Sequence, residues 1–503
     1  MLQTPRLATA LACVSALVAV APATAQAPAS ASACEMVARL ALPHTTIAAA
    51  EPVAAGQFAP PAPAQGAGRG GRGGANPFAE VPAFCRVAAS SKPAPDSDIR
   101  FEVWLPAAGW NGKLQTVGNG GYAGSISYGA MATAVSAGYA AASTDTGHQG
   151  GDPAFLMASA DKLTDFAYRA IHETTVAAKA IIARHYGSAP RLSYFNGCST
   201  GGRQALTAAQ RYPADFDGIV AGAPANYTVH MTAMQLYSGN VVQRDPAAAL
   251  PQAAREALHA AALAACDADD GVKDGIIENP LDCRVDARKV AALKPAQGVA
   301  ANRIYDGLGR AFPGLAPGSE LGWNGLSGGE PFAYALGFWR YVVFKDPTWD
   351  PKTLTIEADL PKADQIASRA GIQAIDPNLN PFFERGGTLV MYHGWNDPLI
   401  SPYNSVNYYK SVRDSTSGAN SIRLFMMPGV NHCQGGIGAD TWDKVKVLDE
   451  WRETGRAPSR VVATHATDGK VDRTRPLCAF PEVAVYRGTG STNEAASFEC
   501  RQP

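Results

Sequence analysis

The chain has 503 residues and a formal net charge of −1, with 46% hydrophobic and 17% charged residues. This length allows one large domain with an insertion or several ordinary domains, and the composition is that of a globular protein with a sizeable core. A nearly neutral chain has no broad electropositive surface. The composition therefore argues against nucleic acid partners and against binding to anionic membranes.

Residues 1–25 have the pattern of a secretory signal peptide. Arg6 precedes the apolar run LATALACVSALVAVA, and Ala23-Thr24-Ala25 provides small residues at the position of a cleavage site. A lipoprotein anchored at Cys13 is the less favoured alternative, because the apolar region between Arg6 and Cys13 is too short. No later segment reaches the roughly 18 uninterrupted apolar residues of a membrane span. The sequence predicts a soluble protein that is secreted or periplasmic.

Removal of the signal peptide takes one of the nine cysteines and leaves an even number. In an exported chain this predicts four disulfides. The count does not determine which residues are joined. The eight cysteines are Cys34, Cys85, Cys198, Cys266, Cys283, Cys433, Cys478 and Cys500.

Strands and helices alternate along two parts of the chain. After an N-terminal segment at 26–90, whose Ala/Pro/Gly-rich stretch at 54–76 is predicted to be a mobile surface loop, the alternation predicts a mainly parallel sheet in an α/β core. The core is predicted at 91–226 and 376–503, and the intervening residues 227–375 are predicted to form a lid, a name kept below. Strands are expected in 99–106, in 112–124, where the strand enters a glycine-rich turn, and in 138–147, 191–197, 388–394 and 422–429. Helices are expected at 161–187 and 201–212.

The segment GCSTGGRQAL places Ser199 in a G-x-S-x-G pattern. The pattern lies between an apolar strand and a helix, where a tight turn lifts a serine hydroxyl above the edge of the sheet. Ser199 is therefore the candidate nucleophile. The alternative is a serine that only caps the helix.

A serine nucleophile needs a base and an orienting carboxylate, which in this fold class follow in the order Ser, Asp, His. Asp397 in HGWNDPLIS and His432 in PGVNHC each follow a predicted strand. His393 is interpreted as a packing or pocket-lining residue. His148 precedes the serine and is in the wrong order.

Cys198 adjoins Ser199, and Cys433 adjoins His432. If the serine and the histidine share a hydrogen bond, their neighbours come within disulfide distance. A Cys198–Cys433 bridge that clamps nucleophile to base is therefore predicted. A reactive thiol at Cys198 is the alternative.

Two backbone N–H groups are candidates for stabilising the developing oxyanion. The first belongs to Thr200, directly after the nucleophile. The second belongs to Gly121 in the glycine-rich loop GNGGYAG, although the glycines also fit an ordinary tight turn.

The segment CDADDGVKDGIIE at 266–278 concentrates carboxylates in a glycine-containing loop, and hard oxygen ligands suit Ca²⁺. The spacing is not that of an EF-hand. Cys266 and Cys283 bracket the loop and are predicted to pair. A structural calcium site is predicted, with a solvated acidic turn as the alternative.

With these motifs assembled, the chain resembles the tannase and feruloyl esterase family of exported serine hydrolases, which includes relatives that cleave mono(2-hydroxyethyl) terephthalate. The resemblance rests on GNGGYAG, GCSTGGRQAL, CDADDGVKDGII, YHGWNDPLIS, PGVNHC and TRPLCAFP. It implies an α/β-hydrolase core with a large inserted lid domain and a triad of Ser199, Asp397 and His432.

The resemblance also implies a structural Ca²⁺ and the cysteine pairs. The ion would be held by Asp267, Asp270 and Asp274 and by the carbonyls of Val272 and Ile276. The pairs would be Cys34–Cys85, Cys198–Cys433, Cys266–Cys283 and Cys478–Cys500. The Gly-Arg-Gly insertion at 66–74 departs from the family pattern.

The predicted function is a carboxylic ester hydrolase, without an organic cofactor, that acts on small esters of aromatic acids such as ferulate or gallate. Aromatic residues at 332–349 could hold the acyl ring or could simply pack the lid core. One alternative is a terephthalate monoester hydrolase or a general carboxylesterase. Another, from a different class, is a calcium-dependent binding module with an inactive core.

Overall fold

A computed structural model describes Met1, residues 29–61 and residues 77–503. The predicted signal peptide, apart from Met1, and the Gly-Arg-Gly insertion at 66–74 lie outside the described residues. The loop predicted at 54–76 is described only as far as residue 61.

The core is a nine-stranded sheet in the order β1-β2-β3-β5-β4-β6-β7-β8-β9. The strands from β5 to β9 in this order pair in parallel, whereas β1, β2 and β3 extend the sheet with antiparallel pairs. The strands are β1 Thr45–Val53, β2 Phe84–Ser91, β3 Ile99–Pro106, β4 Lys113–Val117, β5 Ala140–Thr144, β6 Leu192–Cys198, β7 Gly218–Gly222, β8 Thr388–Gly394 and β9 Ile422–Met427.

Strands β4, β5, β7 and β8 are buried along their whole length. This burial is typical of parallel strands that are covered by helices on both faces, and it accounts for their nearly continuous apolar sequences. All six predicted strands are present in the sheet. The sequence interpretation missed β1, β2 and β7, because β1 and β2 are Ala- and Ser-containing segments without a clear alternation and β7 has only five residues.

The helices lie on both sides of the sheet and in the segment between β7 and β8. They are α1 Ala29–Val37, α2 Tyr128–Ser136, α3 Phe155–Ala158, α4 Ala160–Thr164, α5 Ala170–Tyr186, α6 Thr200–Arg211, α7 Thr228–Arg244, α8 Gln252–Cys266, α9 Pro295–Asp306, α10 Asn324–Ser327, α11 Ala333–Phe338, α12 Ile356–Ala370, α13 Asn380–Phe383, α14 Pro402–Ser415 and α15 Lys444–Thr454. Short 3₁₀ segments are Pro246–Ala248, Ala287–Lys289, Glu320–Gly322, Pro351–Thr353, Ala419–Ser421 and Ala495–Ser497.

The helix predicted at 161–187 is interrupted. A π-helical turn at Asp165–Arg169 separates α4 from α5. The helix ends where predicted, because Gly187 adopts a φ of +77° that closes the last turn. None of the described helices is both long and apolar enough to cross a bilayer.

Residues 223–387 run from β7 to β8 without adding a strand to the sheet, and the predicted lid at 227–375 lies inside this segment. Phe338 and Trp339 of this segment are fully buried beside Val229 and Leu236, in a cluster that also includes Phe166 from the preceding part of the chain. The indole N–H of Trp339 donates to Thr232 Oγ1 at 3.1 Å. Most of the aromatic cluster at 332–349 therefore packs the lid itself.

After β9 the chain adds two small antiparallel sheets that the sequence interpretation did not predict. They are formed by β10 Arg460–Thr467 with β11 Lys470–Cys478, and by β12 Val483–Tyr486 with β13 Phe498–Arg501. The four disulfides of the structure are Cys34–Cys85, Cys198–Cys433, Cys266–Cys283 and Cys478–Cys500.

Candidate active site

Ser199 occupies a strained turn between β6 and α6. Its backbone has φ of +64° and ψ of −120°, outside the regions that non-glycine residues favour. The neighbouring glycines are required by close backbone contacts. A Cβ at Gly197 would lie 2.6 Å from the carbonyl oxygen of Gly201, and one at Gly202 would lie 2.3 Å from that of Gly222. The turn leaves the half-buried serine accessible at the edge of the sheet.

Asp397 and His432 follow β8 and β9 and lie in direct contact. The His432 Nδ1 atom is 2.6 Å from Asp397 Oδ2. The other carboxylate oxygen of Asp397 accepts hydrogen bonds from the backbone N–H groups of Leu399 and Ile400, at 2.8 and 3.0 Å. Asp397 is fully buried, whereas 19% of the His432 side chain is exposed. The ring is thus anchored at Nδ1 and reaches solvent elsewhere.

His393 also contacts Asp397. Its Nε2 atom lies 3.0 Å from Asp397 Oδ2, the same oxygen that contacts His432, and its Nδ1 atom lies 2.7 Å from Ser405 Oγ. Both His393 and Ser405 are completely buried. The sequence interpretation of His393 as a packing or pocket-lining residue missed this contact. The four-residue spacing from His393 to Asp397 was visible, but it predicts a contact only in a helix, and these residues span a strand end and a turn.

The contact between Asp397 and His432 determines their protonation. Burial alone would raise the pKa of Asp397, but the charge of His432 and the hydrogen bonds from His393 and His432 hold it below its usual range. Burial lowers the pKa of His432, and the charge and hydrogen bond of Asp397 outweigh that effect, so its pKa is raised above 6.5. Asp397 is therefore a carboxylate that stabilises a protonated His432.

The Cys198–Cys433 disulfide joins the residue before Ser199 to the residue after His432. It spans 235 positions of sequence with a Cα–Cα distance of 6.0 Å. Among the described residues, the Ser199 hydroxyl has no hydrogen bond to His432 or to another side chain. Such bonds are often long in free enzymes and tighten when substrate binds. The disulfide, rather than a Ser199–His432 hydrogen bond, brings the two segments together.

The two predicted oxyanion donors are adjacent. The Thr200 hydroxyl donates to the carbonyl oxygen of Gly121 at 3.0 Å. In the described part of the chain, the backbone N–H of Gly121 has no hydrogen-bond partner, and that of Thr200 belongs to the first turn of α6, which lacks an intrahelical acceptor. Both N–H groups are thus without an acceptor among the described residues.

Two amide side chains that the sequence interpretation missed hold the glycine-rich loop against α6. Gln204 Oε1 accepts from the backbone N–H of Asn119 at 3.0 Å, and Gln204 Nε2 donates to Asn119 Oδ1 at 3.1 Å. Asn119 also donates to the carbonyl oxygen of Thr144 at 2.8 Å. This buried network fixes the loop that carries Gly121 relative to the nucleophile helix.

The lid contacts the same loop through an aromatic pair. The rings of Tyr122 and Tyr334 stack with their centroids 4.4 Å apart, and the Tyr122 hydroxyl donates to the carbonyl oxygen of Tyr334 at 3.0 Å. Tyr334 is half-buried, unlike Phe338 and Trp339. Tyr334 is therefore the residue of the aromatic cluster that the structure places beside the glycine-rich loop at 118–124, which carries the predicted donor Gly121 and is called the oxyanion loop below.

The Asp-rich loop is folded on itself. Asp267 Oδ1 accepts from the backbone N–H groups of Asp274, Gly275 and Ile276, each at 3.2 Å, and Asp270 Oδ1 accepts from Val272 N at 3.0 Å. The second oxygen of Asp274 lies 2.5 Å from Arg475. In the chain as described, no group of three His, Cys, Asp or Glu side chains is arranged to hold a metal ion.

The donor chemistry of this loop nevertheless fits a hard cation. Asp270 and Glu278 are both buried, and burial raises their pKa values to about 6 and about 8, respectively. Carboxylate and carbonyl oxygens are the ligands that Ca²⁺ prefers. The loop supplies oxygen ligands of this kind from the carboxylates of Asp267, Asp270 and Asp274 and the carbonyls of Val272 and Ile276. Arg475 would compete with a cation for Asp274.

The site and the sheet together define a class of enzyme. Ser199 lies on a strained turn after a parallel strand, and an acid and a histidine follow in chain order after the ends of β8 and β9. This is the arrangement found in α/β-hydrolases. The chain belongs to the tannase and feruloyl esterase family, whose sequence profile matches residues 85–306 and 335–501. It is a carboxylic ester hydrolase.

Individual relatives agree with this assignment. The chain is 34% identical to an uncharacterized esterase of Xanthomonas campestris pv. campestris, over 93% of this chain and 91% of that protein. It is 33% identical to a probable feruloyl esterase B-1 of Aspergillus terreus, over 83% of this chain and 86% of that protein. The crystal structure of feruloyl esterase B from Aspergillus oryzae superposes on this structure with a TM-score of 0.85. The two chains are 30% identical, and the superposition covers 94% of this chain and 100% of that chain.

Proposed function

We propose that this esterase cleaves esters of aromatic acids through an acyl-enzyme formed on Ser199. The observation that carries the proposal is the 2.6 Å contact between His432 Nδ1 and Asp397 Oδ2, in a histidine whose neighbour is bonded to the neighbour of Ser199. Since Nδ1 is occupied by Asp397, the proton-accepting atom of His432 is Nε2. The base is thereby held in the tautomer that a serine nucleophile requires.

The proposed reaction has two half-reactions. His432 Nε2 accepts the proton of Ser199 Oγ as the oxygen attacks the ester carbonyl, and the charge on the carbonyl oxygen is stabilised by the N–H groups of Gly121 and Thr200. His432 then protonates the departing alcohol, which leaves the acyl group on Ser199. Water then gives a proton to His432 as its oxygen attacks the acyl carbon. The bond from this carbon to Ser199 Oγ breaks, His432 returns the proton to Ser199, and the acid is released. Asp397 stabilises the imidazolium in both half-reactions.

The preference for an aromatic acyl group is supported by the stacked pair of Tyr122 and Tyr334, which lies beside the oxyanion loop. Contact with this aromatic pair would hold a planar acid next to the proposed nucleophile. The relatives named as feruloyl esterases act, by those names, on a hydroxycinnamic ester. A hydroxycinnamate or gallate ester is therefore the proposed substrate.

A panel of purified esters tests this proposal. Methyl ferulate and methyl gallate are compared with mono(2-hydroxyethyl) terephthalate and an aliphatic ester of matched alcohol, with Ser199→Ala as the matched control. We expect kcat/KM for the ferulate or gallate ester to exceed that for the aliphatic ester by at least tenfold, and Ser199→Ala to lose several orders of magnitude. A higher value for the terephthalate ester would support the alternative substrate.

Labelling of the nucleophile distinguishes an active enzyme from an inactive binding module. A fluorescent organophosphonate should label the parent protein at Ser199 and leave Ser199→Ala unlabelled. Absence of labelling, together with no burst of product from a chromogenic ester, would favour the binding module.

We also propose that the loop at 267–276 holds a structural Ca²⁺ through Asp267, Asp270 and Asp274 and the carbonyls of Val272 and Ile276. The ion would neutralise carboxylates that are otherwise crowded together and would cross-link the loop. The loop adjoins the C-terminal sheets, since Arg475 in β11 contacts Asp274. Its proposed role is to stabilise the fold.

Export of this protein is proposed from the signal-peptide pattern at 1–25 and from its disulfides. Four disulfides in one chain are characteristic of an oxidising compartment. N-terminal sequencing of the protein recovered from culture medium and from periplasm tests both cleavage after Ala25 and the final location.

A further inference from the structure

We propose that His393 is a positioning residue for the esterase reaction: a neutral histidine that orients Asp397 and shares the negative charge of this carboxylate with His432. The inference rests on the proposed roles of Ser199, Asp397 and His432. It is carried by the contacts of Asp397 Oδ2, which lies 3.0 Å from His393 Nε2 and 2.6 Å from His432 Nδ1.

Hydrogen-bond chemistry assigns the protons. An ionised carboxylate only accepts hydrogen bonds, so Nε2 of His393 and Nδ1 of His432 must both carry a hydrogen. On the other side of His393, Nδ1 lies 2.7 Å from Ser405 Oγ. In the described residues this is the contact available to the buried Ser405 hydroxyl, so the hydroxyl donates and Nδ1 accepts. His393 is thus the neutral tautomer with its hydrogen on Nε2.

A protonated His393 would break this series of hydrogen bonds from Ser405 to Asp397. Its Nδ1–H would donate to Ser405, whose own proton would then have no acceptor within the part of the chain that the structure describes. A buried hydroxyl without an acceptor costs free energy. Ser405 therefore selects the neutral form of His393, and a second cation beside Asp397 is avoided.

The consequence for catalysis follows from the four hydrogen bonds that Asp397 accepts. Leu399 and Ile400 hold Oδ1, while His393 and His432 share Oδ2. The bond from His393 fixes the plane of the carboxylate and draws part of its negative charge away from His432. Without it, Asp397 would turn more freely and would stabilise the protonated form of His432 more strongly.

The effect of His393 on the pKa of His432 can be measured, because few other charged groups in the described part of the chain act on this histidine. Among the described groups, the charge that acts on His432 is that of Asp397, and the titratable groups that act on Asp397 are His393 and His432. His393 is completely buried and does not line the accessible part of the site. A change at His393 should therefore alter kcat and the pH profile more than KM.

The test uses His393→Phe, which keeps a flat ring but removes the donor, and His393→Gln, which restores an N–H donor. For His393→Phe we expect kcat to fall roughly 10- to 100-fold, by analogy with the loss of groups that orient metal ligands, with KM changed less than about threefold. The acid limb of kcat/KM should move to higher pH by about one unit. His393→Gln should recover at least part of both changes.

Ser405→Ala provides a second variant that preserves His393, and Ser401→Ala is its matched control. Ser401 is a buried serine at the start of α14 whose hydroxyl donates to the carbonyl oxygen of Gly314 at 2.6 Å, not to His393. Ser405→Ala should lower kcat and move the acid limb, because His393 loses the hydroxyl donor that fixes its tautomer. Ser401→Ala should leave the acid limb in place.

Two results would overturn the inference. One is a His393→Phe or Ser405→Ala protein that folds, keeps kcat within twofold and shows no pH shift. The other is a loss of kcat with an unshifted acid limb and no recovery in His393→Gln, which indicates packing alone. Ser199→Ala is measured in the same assay: full activity there would refute the proposed function itself, whereas an inactive Ser199→Ala with an unaffected His393→Phe refutes only the role of His393.

Discussion

Cys198 and Cys433 form a disulfide across 235 positions of sequence, and each adjoins a residue of the proposed triad. Both chain turns at this point are strained, with φ of +64° at Ser199 and +65° at Cys433. Residues in this conformation persist only where the surrounding structure holds them. The disulfide supplies such a restraint and also limits the distance between the segments that carry the proposed nucleophile and the proposed base.

The first prediction concerns this disulfide. Replacing both cysteines, in Cys198→Ala with Cys433→Ala, should lower activity at least tenfold and lower the melting temperature, because the nucleophile turn and the histidine loop lose their covalent link. Closing so long a loop stabilises a protein by up to about 5 kcal/mol in the chain-entropy estimate. Steady-state kinetics and thermal unfolding measure the two effects.

The matched control is the double variant Cys478→Ala with Cys500→Ala. This disulfide joins β11 to β13 over 22 positions of sequence and lies in the C-terminal sheets. Its removal should lower the melting temperature while kcat at low temperature stays within about twofold. Equal losses of kcat in the two double variants would show that the Cys198–Cys433 disulfide has no special relation to the site.

A second prediction concerns pH. The pKa of His432 is raised above 6.5, and the protonated ring cannot accept the proton of Ser199. The rate should therefore be low at acid pH and should rise through the pKa of His432, so kcat/KM plotted against pH should show an acid limb with its midpoint above 6.5. A profile that is flat from pH 5 to 8, the range in which an ordinary histidine titrates, would contradict this role.

Asp397→Asn extends the same argument. The substitution removes the negative charge that raises the pKa of His432, so the acid limb should move to lower pH. The maximal rate should fall by up to ~10⁴-fold, as expected when the imidazole loses its orienting carboxylate. An acid limb that stays in place or moves to higher pH would show that Asp397 does not set the charge state of His432.

A third prediction concerns calcium. Chelation should lower the melting temperature and leave the initial rate at low temperature nearly unchanged, because the loop lies outside the proposed triad. Asp270→Asn should reproduce the lower melting temperature and should make the protein insensitive to chelator. Immediate loss of rate with an unchanged melting temperature would instead indicate a catalytic metal.

A fourth prediction concerns the lid. Tyr334→Ala removes the ring that stacks on Tyr122 at 4.4 Å, and should raise KM for a ferulate ester at least fivefold while changing KM for an aliphatic ester little. Tyr334→Phe is the control that keeps the ring, and it should raise KM for the ferulate ester less than Tyr334→Ala does, although it loses the hydroxyl contact with Thr200. Equal changes for both esters would assign Tyr334 to lid packing.

The local chemistry of this protein was predictable from short stretches of sequence. Strand β3 was placed at its observed bounds, Ile99–Pro106, because its apolar run is bounded by polar and turn residues. The strand–serine–helix segment around Ser199 was predictable for a related reason. Its tight backbone contacts require glycines, and Gly197 and Gly202 stand close to the serine in the sequence. Such features depend on neighbours within a few positions.

The contact between His393 and Asp397 was decided by the tertiary structure. Whether a histidine in a buried strand packs against apolar side chains or donates to a carboxylate depends on Ser405 and His432, which come from other segments of the chain. Likewise, the sequence predicted an aromatic cluster at 332–349 but not that Tyr334 contacts the oxyanion loop while Trp339 lies in the lid core. Sequence determines which chemical groups are available and their local backbone; long-range packing determines which of them meet, because side chains distant in sequence are brought together only when the core closes.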